Sequence, residues 1–137
     1  MMPVLIAFAR LSVDVAPPVT VLSTDAGERR FVAIRGGTME GDIAAEILPG
    51  GADWQWVGAD GVVEIDAHYT LRTADGEILE LRSQGVRRPP LDGTPGSFWS
   101  SITLRGDGPS RKLTQHLFLA SGERTPEDVR LTLYRCS

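Results

Sequence analysis

The sequence has few of the residues that build metal, disulfide and thiol sites. Of its 137 residues, one is cysteine, Cys136, and two are histidine, His68 and His116. A single cysteine excludes an intramolecular disulfide, and such low cysteine usage is typical of the reducing cytoplasm, where we expect the protein. Histidine or cysteine pairs at metal-ligand spacing and a glycine-rich phosphate loop are absent. We therefore predict no metal and no cofactor.

The sequence also lacks a basic surplus and a long apolar run. Its formal net charge is -4, which argues against binding to nucleic acid, because phosphate neutralisation needs clustered Lys and Arg. No apolar run approaches the roughly 20 residues that cross a bilayer. The N-terminal segment "MMPVLIAFARLSVDV" has no basic residue before its apolar run, so it is interpreted as a strand and not as a signal peptide. We expect a soluble protein that binds neither nucleic acid nor membrane.

Helix signals are almost absent, and a period of two dominates the chain. Only "RTPEDVRL", residues 124–131, resembles a helix start, and a single turn between two strands is the preferred interpretation. Elsewhere apolar and polar residues alternate as in strands. This alternation predicts a two-sided apolar strand near residues 4–9 and further strands at 31–35, 42–48, 53–57, 62–73, 78–87, 98–104, 113–121 and 129–135.

Turn signals separate these strands at the spacing of a barrel or a sandwich. Asp60-Gly61 and Asp75-Gly76 favour tight hairpins, and hairpins make neighbouring strands antiparallel. We predict one all-β domain over residues 1–137, an antiparallel β-barrel of about 8–10 strands, with a β-sandwich as the alternative. The proline-rich stretch 87–97 is predicted to be a loop and a candidate lid or rim.

Two of the three tryptophans follow a carboxylate in "DWQW", residues 53–56. Alternation puts Asp53 and Gln55 on one strand face and Trp54 and Trp56 on the other. Indole rings line organic-ligand pockets in small barrels, although two tryptophans on one face are most often packed core or barrel wall. A carboxyl in such surroundings has a raised pKa, which suits acid or base chemistry, but Asp53 at a strand start can equally cap the preceding turn.

The next strand carries a second candidate group in "EIDAHYTLR", residues 64–72. Asp66 and His68 share one face, where they could exchange a proton and serve as a general base. The simpler interpretation is a polar face turned to water, with Tyr69 packing on the other side or directing its hydroxyl into a cavity. His116 shares a face with Phe118, which is typical of a buried structural histidine as well as of a hydrogen-bonding site residue.

Several segments together resemble the bacterial family catalogued as domain of unknown function 3237. They are "RRFVAIRGGTMEG", "LPGGADWQWV", "DGVVEIDAHYTLRTADGEIL", "LFLASGER" and "VRLTLYR". The resemblance spans about residues 29–88 and 113–135. It implies a compact β-barrel with a central pocket, and it supplies no settled activity. Members carry a Trp-Leu-Asn segment where this chain has Leu113-Thr114-Gln115, which implies a changed ligand or chemistry, or a lost activity, if that segment lines the pocket.

The leading hypothesis is a cofactor-independent enzyme acting on a hydrophobic or aromatic organic molecule, as an isomerase, cyclase, lyase or hydrolase. Its expected catalytic residues are Asp53, Asp66, Tyr69 and His116, and its expected ligand-binding residues are Trp54, Gln55, Trp56, His68 and Trp99. The alternative is a non-catalytic carrier or sensor of a similar molecule. A third hypothesis is a structural module that forms a homodimer through the apolar N-terminal strand.

Overall fold

Ten β-strands follow the alternating pattern in the computed structural model, which describes residues 1–137. The strands are β1 (Leu5–Val15), β2 (Val19–Thr24), β3 (Gly27–Gly41), β4 (Ala45–Ile47), β5 (Ala52–Gly58), β6 (Val63–Thr73), β7 (Ile78–Arg88), β8 (Ser97–Gly106), β9 (Phe118–Arg124) and β10 (Asp128–Cys136). One 3₁₀ helix, Pro109–Gln115, lies between β8 and β9. All strand pairs are antiparallel, as the hairpin turns predict.

The sheet closes on itself through β1. This strand pairs with β10 on one side and with the second half of β3 on the other. β1 and β2 together occupy one side of β3, while β4 and β5 together fill the space between β3 and β6. The result is a closed barrel with eight strand positions. The predicted antiparallel barrel is confirmed, and the sandwich alternative is wrong.

The two Asp-Gly turns are where the sequence puts them. Gly61 joins β5 to β6 and Gly76 joins β6 to β7, with φ angles of 85° and 87° that favour glycine. In the first turn, the amide N–H of Val62 donates a hydrogen bond to Asp60 Oδ1 at 3.0 Å. Local turn chemistry therefore sets the register of β6, the strand that contains Tyr69.

The strand predicted from residue 113 is wrong in its first half. Residues Pro109–Gln115 form the 3₁₀ helix, and β9 begins only at Phe118. Glu77 explains this: its Oε2 accepts hydrogen bonds from the amides of Gly108 and Ser110 at 2.9 Å and 2.7 Å, and its Oε1 accepts one from the Ser110 hydroxyl. A carboxylate from a distant turn thus fixes the start of the helix, and this contact has no signature in the local sequence.

Other strand bounds also differ from the prediction. β3 extends over Gly27–Gly41 where residues 31–35 were expected, and the strand expected at 42–48 is reduced to Ala45–Ile47. The short strand β2 was not predicted, because it follows Pro17-Pro18 and its side chains are all exposed. The pairing of β1 with β3 has a register shift between Asp14 and Val15 of β1, next to Gly36 of β3.

The inside of the barrel has an apolar end and a polar end. At the apolar end, the buried side chains include Leu71, Leu79, Leu104, Phe118 and Leu133. The polar end lies where the β5–β6 turn, the β7–β8 loop and the β9–β10 turn meet the strands. Buried or half-buried polar side chains face inward there, on β3, β5, β7, β8 and β9. The inward-facing titratable groups therefore gather toward the polar end, next to buried apolar side chains such as Val63 and Val129.

The N-terminal strand is less buried than its sequence predicts. Val4, Leu5 and Ile6 are all exposed, and full burial on the inner face starts only at Phe8. The expected two-sided burial is therefore wrong for residues 4–6. The homodimer that this strand suggested stays a prediction.

None of the helical residues forms a segment with the length and hydropathy to span a membrane.

Gly37 is expected to be among the positions least tolerant of a side chain. Its φ is 143°, and a Cβ there would lie 2.1 Å from the carbonyl oxygen of Ser12 on the paired strand β1. We predict that Gly37→Ala lowers the free energy of unfolding by about 3 kcal/mol or more, because backbone strain and a backbone clash add. Urea denaturation measures this change.

Gly76→Ala is the matched control. It has a positive φ of 87° but nothing within 4 Å of the added Cβ, so only the strain of about 1 kcal/mol is expected. Equal costs for the two variants would contradict the role of Gly37 in the β1–β3 contact that closes the barrel.

Candidate active site at the polar end of the barrel

The strand β5 turns its carboxylate inward and its indoles outward. Asp53 and Gln55 are buried, whereas Trp54 is exposed and Trp56 is half-buried on the outer surface. The register explains this choice of face: Asp53 lies between Val32 of β3 and Ala67 of β6, and both of these point into the interior. Because side chains alternate between the inside and the outside along each strand of a closed barrel, Asp53 must also point inward.

Asp53 is a buried carboxyl group with an incomplete set of hydrogen bonds. It is 8% exposed, and its Oδ2 accepts a hydrogen bond from Gln55 Nε2 at 2.7 Å. Its Oδ1 is buried without any hydrogen-bond partner. Buried polar atoms are nearly always paired, so an unpaired carboxylate oxygen is an available donor or acceptor position for a bound molecule.

Burial raises the pKa of Asp53 above its ordinary value. The hydrogen bond from Gln55, the positive charges of Arg124 and Arg87 and, least, the nearby backbone amide of Asp66 oppose this shift, but together they are smaller than the desolvation of the carboxylate. A carboxyl with a raised pKa holds its proton closer to neutral pH, where it can act as an acid in one protonation state and a base in the other. This is the chemistry that the sequence predicts for Asp53.

Tyr69 faces the same interior from β6. It is 5% exposed, and burial raises the pKa of its phenol, with the negative charge of Asp53 as the second cause. The phenol therefore stays protonated and presents a hydroxyl near the carboxylate. Next to it, Ser83 and Ser100 are buried and share a hydrogen bond of 2.9 Å between their hydroxyl oxygens. The surroundings of Asp53 thus offer neutral hydrogen-bonding groups.

Two arginines face Asp53 from the rim of the polar end, on β7 and β9. Arg87 pairs with Val63 and Phe98 in the sheet, and Arg124 continues the inward series Phe118, Ala120 and Gly122. The pKa of Arg87 is lowered, first by burial and next by the charge of Arg124. Sequence reasoning missed both residues as site residues. Arg87 begins the loop predicted at residues 87–97, and Arg124 begins the turn predicted at residues 124–131.

Phe98 completes the inner surface of this end. A Cβ at Gly122 would lie 2.8 Å from the Phe98 ring, so the glycine makes room for the ring over β9. Arg87 and Phe98 form the last-but-one pair of β7 and β8, directly below the exposed loop of residues 89–96. The loop therefore borders the polar end, where the sequence suggested a rim.

Asp66 and His68, the other predicted acid–base pair, lie on the outer surface. Arg82 Nε and Nη2 donate to Asp66 Oδ1 and Oδ2 at 3.0 Å and 2.9 Å, and His68 Nε2 lies 3.5 Å from Asp66 Oδ1. The pKa of Asp66 is lowered, chiefly by these hydrogen bonds from Arg82. The structure therefore brings Asp66 and His68 together, but outside the barrel and on the opposite side of the wall from Asp53.

The tryptophans and His116 also lie outside the polar interior. Trp54 packs edge-on against Phe31 with ring centroids 4.8 Å apart, and the Arg29 guanidinium lies 5.3 Å from the centroid of Trp56. Trp99 is exposed on β8. His116 is exposed at the end of the 3₁₀ helix, at the apolar end of the barrel. Ligand contacts by these residues stay predictions, and they would have to be contacts on the outer surface.

Side chains that could hold a metal ion do not cluster. No group of three or more His, Cys, Asp or Glu side chains gathers with the geometry of a metal site. The polar end holds the Asp53 carboxyl, the Tyr69 phenol, the Gln55 amide, the Glu28–Arg30 ion pair and the guanidinium groups of Arg87 and Arg124. These are groups for proton transfer and for binding an anion.

Comparison with known proteins gives the chain a family. A sequence profile described as protein of unknown function (DUF3237) matches residues 3–136. The chain belongs to the DUF3237 family. A UPF0311 protein of Bradyrhizobium diazoefficiens is 28% identical over 130 residues, which covers 85% of this chain and 86% of that protein. The resemblance seen in the sequence is thereby confirmed.

Solved structures have the same fold. A protein with unknown function from Clostridium acetobutylicum is 27% identical, has a TM-score of 0.91, and covers 99% of this chain and 100% of its own. A beta-barrel like protein from Acinetobacter baumannii is 30% identical with a TM-score of 0.89, covering 100% and 98%. A crystal structure described as an enzyme from Penicillium herquei is 16% identical with a TM-score of 0.78, covering 100% and 96%, and shows the fold alone.

The segment in which this chain departs from the expected DUF3237 sequence lies far from Asp53. Leu113, Thr114 and Gln115 belong to the 3₁₀ helix, which packs on β8 at the apolar end. The departure therefore leaves the inner surface around Asp53 unchanged. A changed ligand or a lost activity does not follow from it.

Replacing Asp53 by asparagine is expected to stabilise the protein at neutral pH. A carboxyl whose folded pKa is raised favours folding most when protonated, so stability is lost as pH rises through the folded pKa. The variant Asp53→Asn resembles the protonated group and does not titrate. We predict a gain on the order of 1 kcal/mol above that pKa, which shrinks toward zero in acid.

Thermal melts from acid to neutral pH measure this difference, and Asp66→Asn is the control. Asp66 is more than a third exposed and pairs with Arg82 on the surface, so its replacement is expected to cost less than about 1 kcal/mol. An Asp53→Asn variant that is less stable than the parent at neutral pH would contradict the assignment of Asp53 as a poorly solvated carboxyl.

Proposed function

We propose that this protein is a cofactor-independent enzyme that transfers protons on a hydrophobic or aromatic organic molecule, with Asp53 as the acid or base. The observation that carries the proposal is the unpartnered Oδ1 of a buried carboxyl inside the polar end. Isomerase, cyclase, lyase and hydrolase reactions all contain a step that such a group can accelerate.

Three further features support a catalytic role over a structural one. Gln55 holds one carboxylate oxygen at 2.7 Å, which fixes the orientation of the group and leaves Oδ1 for the substrate. Tyr69 presents a neutral hydroxyl for a substrate oxygen, since burial and Asp53 both raise its pKa. Strand β5, which carries Asp53 and Gln55, and strand β6, which carries Tyr69, each pair with a strand on both sides, so the backbone at these residues is fixed. A preorganised proton acceptor is the result.

The predicted catalytic residues divide into those that face the interior and those that are exposed outside it. Asp53 and Tyr69 share the interior, and we propose them as the proton-transfer residue and a substrate hydrogen-bond donor. Asp66, His68 and His116 lie on the outside of the barrel, and the pKa of Asp66 is lowered, which makes its carboxylate a weak base.

A location in the cytoplasm stays a prediction from the single cysteine.

An assay with a surrogate substrate can test the proton-transfer step without knowledge of the natural substrate. When a base removes the proton on C3 of the isoxazole ring of 5-nitrobenzisoxazole, the nitrile bond forms and the N–O bond breaks, which gives a coloured cyanophenolate. Poorly solvated carboxylates are effective bases in this reaction. We predict measurable turnover by the protein and a loss of about 100-fold or more in Asp53→Asn. The rate is expected to rise with pH through the raised pKa of Asp53, because only the ionised carboxylate accepts the proton.

Asp66→Asn is the matched control, since it removes a carboxylate of the same length from the outer side of the neighbouring strand. It is expected to keep the parent rate. Equal rates for the parent and Asp53→Asn would refute the catalytic proposal. Ligand binding at the polar end without Asp53-dependent turnover would favour the carrier or sensor. Tryptophan emission is a poor readout of such binding, because all three indoles lie outside the interior, so amide NMR spectra are preferable.

A further inference from the structure

The polar end contains more positive than negative charge. Its inward-facing ionisable groups are Glu28 and Arg30 on β3, Asp53 on β5, Tyr69 on β6, Arg87 on β7 and Arg124 on β9. Glu28 and Arg30 form an ion pair with Arg30 Nη2 3.0 Å from Glu28 Oε2. The guanidinium groups of Arg87 and Arg124 then remain with a single carboxyl, that of Asp53. This carboxyl is hydrogen-bonded to Gln55 and not to either arginine.

Neither remaining arginine has a partner inside the protein. The ion pairs within 4.0 Å involve Arg30, His68, Arg72, Arg82 and Arg130. Arg87 and Arg124 are half-buried all the same, and the charge of Arg124 lowers the pKa of Arg87. Partial removal from water and mutual repulsion both cost free energy that a bound anion would offset, so these two guanidinium groups are suited to accept one.

The register places Arg87 nearer than Asp53 to the polar end of the barrel. Arg87 pairs with Val63 of β6, whereas Asp53 pairs with Ala67, four residues further from the β5–β6 turn along the same strand. Arg124 ends β9 on the same inward face as Phe118 and Ala120. The unpartnered Oδ1 of Asp53 belongs to a side chain that is more than nine-tenths buried, deeper in the barrel than Arg87.

We propose that the polar end of the barrel binds organic carboxylates, with Arg87 and Arg124 holding the anionic group and Asp53 Oδ1 contacting the bound molecule. The inference rests on the proposed function in that it uses the same site, and it names the substrate class: organic acids rather than neutral compounds. Guanidinium groups suit this ligand because their N–H donors match the two oxygens of a carboxylate.

Proton uptake accompanies binding at such a site. A ligand carboxylate near Asp53 adds a second negative charge, which favours the protonated form of Asp53, and the proton comes from the buffer. The bound anion and Asp53 then share the positive charge of Arg87 and Arg124. Affinity for the anion is therefore expected to fall as pH rises through the pKa of Asp53, opposite in sign to the proton-abstraction rate.

The binding test uses acetate, benzoate and phenylacetate as probes, and benzamide as the neutral counterpart of benzoate. Titration calorimetry and amide NMR follow binding to the parent and to Arg87→Gln and Arg124→Gln. We expect at least one of the carboxylates to bind, benzamide to bind at least about tenfold more weakly than benzoate if benzoate binds, and each variant to lose about tenfold or more in carboxylate affinity. Calorimetry in buffers of different ionisation enthalpy should show proton uptake, which Asp53→Asn removes.

Arg82→Gln is the control, because Arg82 lies on the outer face in the ion pair with Asp66. It should bind the carboxylates as the parent does. Arg87→Lys and Arg124→Lys, which keep the charge, should regain part of the lost affinity if the variants are folded by their NMR spectra. Binding by none of the three carboxylates, equal binding of benzoate and benzamide, or unchanged affinity in both glutamine variants would overturn the inference.

These outcomes are separable from those of the catalytic proposal. Turnover of the neutral benzisoxazole that depends on Asp53 but not on the arginines, with no carboxylate binding, would leave the catalytic role in place and remove the anion site. Carboxylate binding that depends on the arginines, without Asp53-dependent turnover, would keep the anion site and remove the enzyme.

Discussion

The double pairing of β1 is the contact on which the rest of the molecule depends. This strand joins β10 to β3, and without it the other strands would form an open sheet with two solvent-facing sides. Closure gives each strand one inner and one outer face, and it makes the choice between them cooperative around the ring. The pairing of all the strands therefore keeps the carboxyl group of Asp53 in the interior, although the loss of its hydration disfavours that position.

The architecture was largely readable from the sequence because its signals are local. Alternation, Asp-Gly turns and the scarcity of helix formers each act over a few residues, and together they favour a barrel. The failures came from contacts between distant segments. Glu77 fixes the 3₁₀ helix from 31 residues away, and β2 is a strand only because β3 extends beside it. Neither contact leaves a trace in the segment that it determines.

The site was only half readable, for a related reason. Alternation paired Asp53 with Gln55 and Trp54 with Trp56, but it could not tell which pair faces inward. Hydrophobicity alone favours buried tryptophans, and the barrel does the opposite, because Phe31 and Arg29 on the neighbouring strand offer the indoles packing on the outer surface. Arg124 was hidden by its position beside a turn, although the inward series Phe118, Ala120 and Gly122 leads directly to it.

The interior combines apolar packing, which favours folding, with charged groups, which oppose it. A single cluster of 23 buried apolar side chains runs through the barrel. Toward the polar end the interior also holds a desolvated carboxyl and half-buried cations, each of which costs stability. Because the charged groups gather toward one end, the packing of the cluster elsewhere is kept.

The stem of the β7–β8 connection has a consequence for how this fold can diversify. Arg87 and Phe98 sit opposite each other on paired strands, while residues 89–96 between them are all exposed. Insertions, deletions and replacements in that segment change what approaches the barrel interior without disturbing either stem residue. The segment can therefore change in length and sequence while Arg87 and Phe98 keep their places in the paired strands.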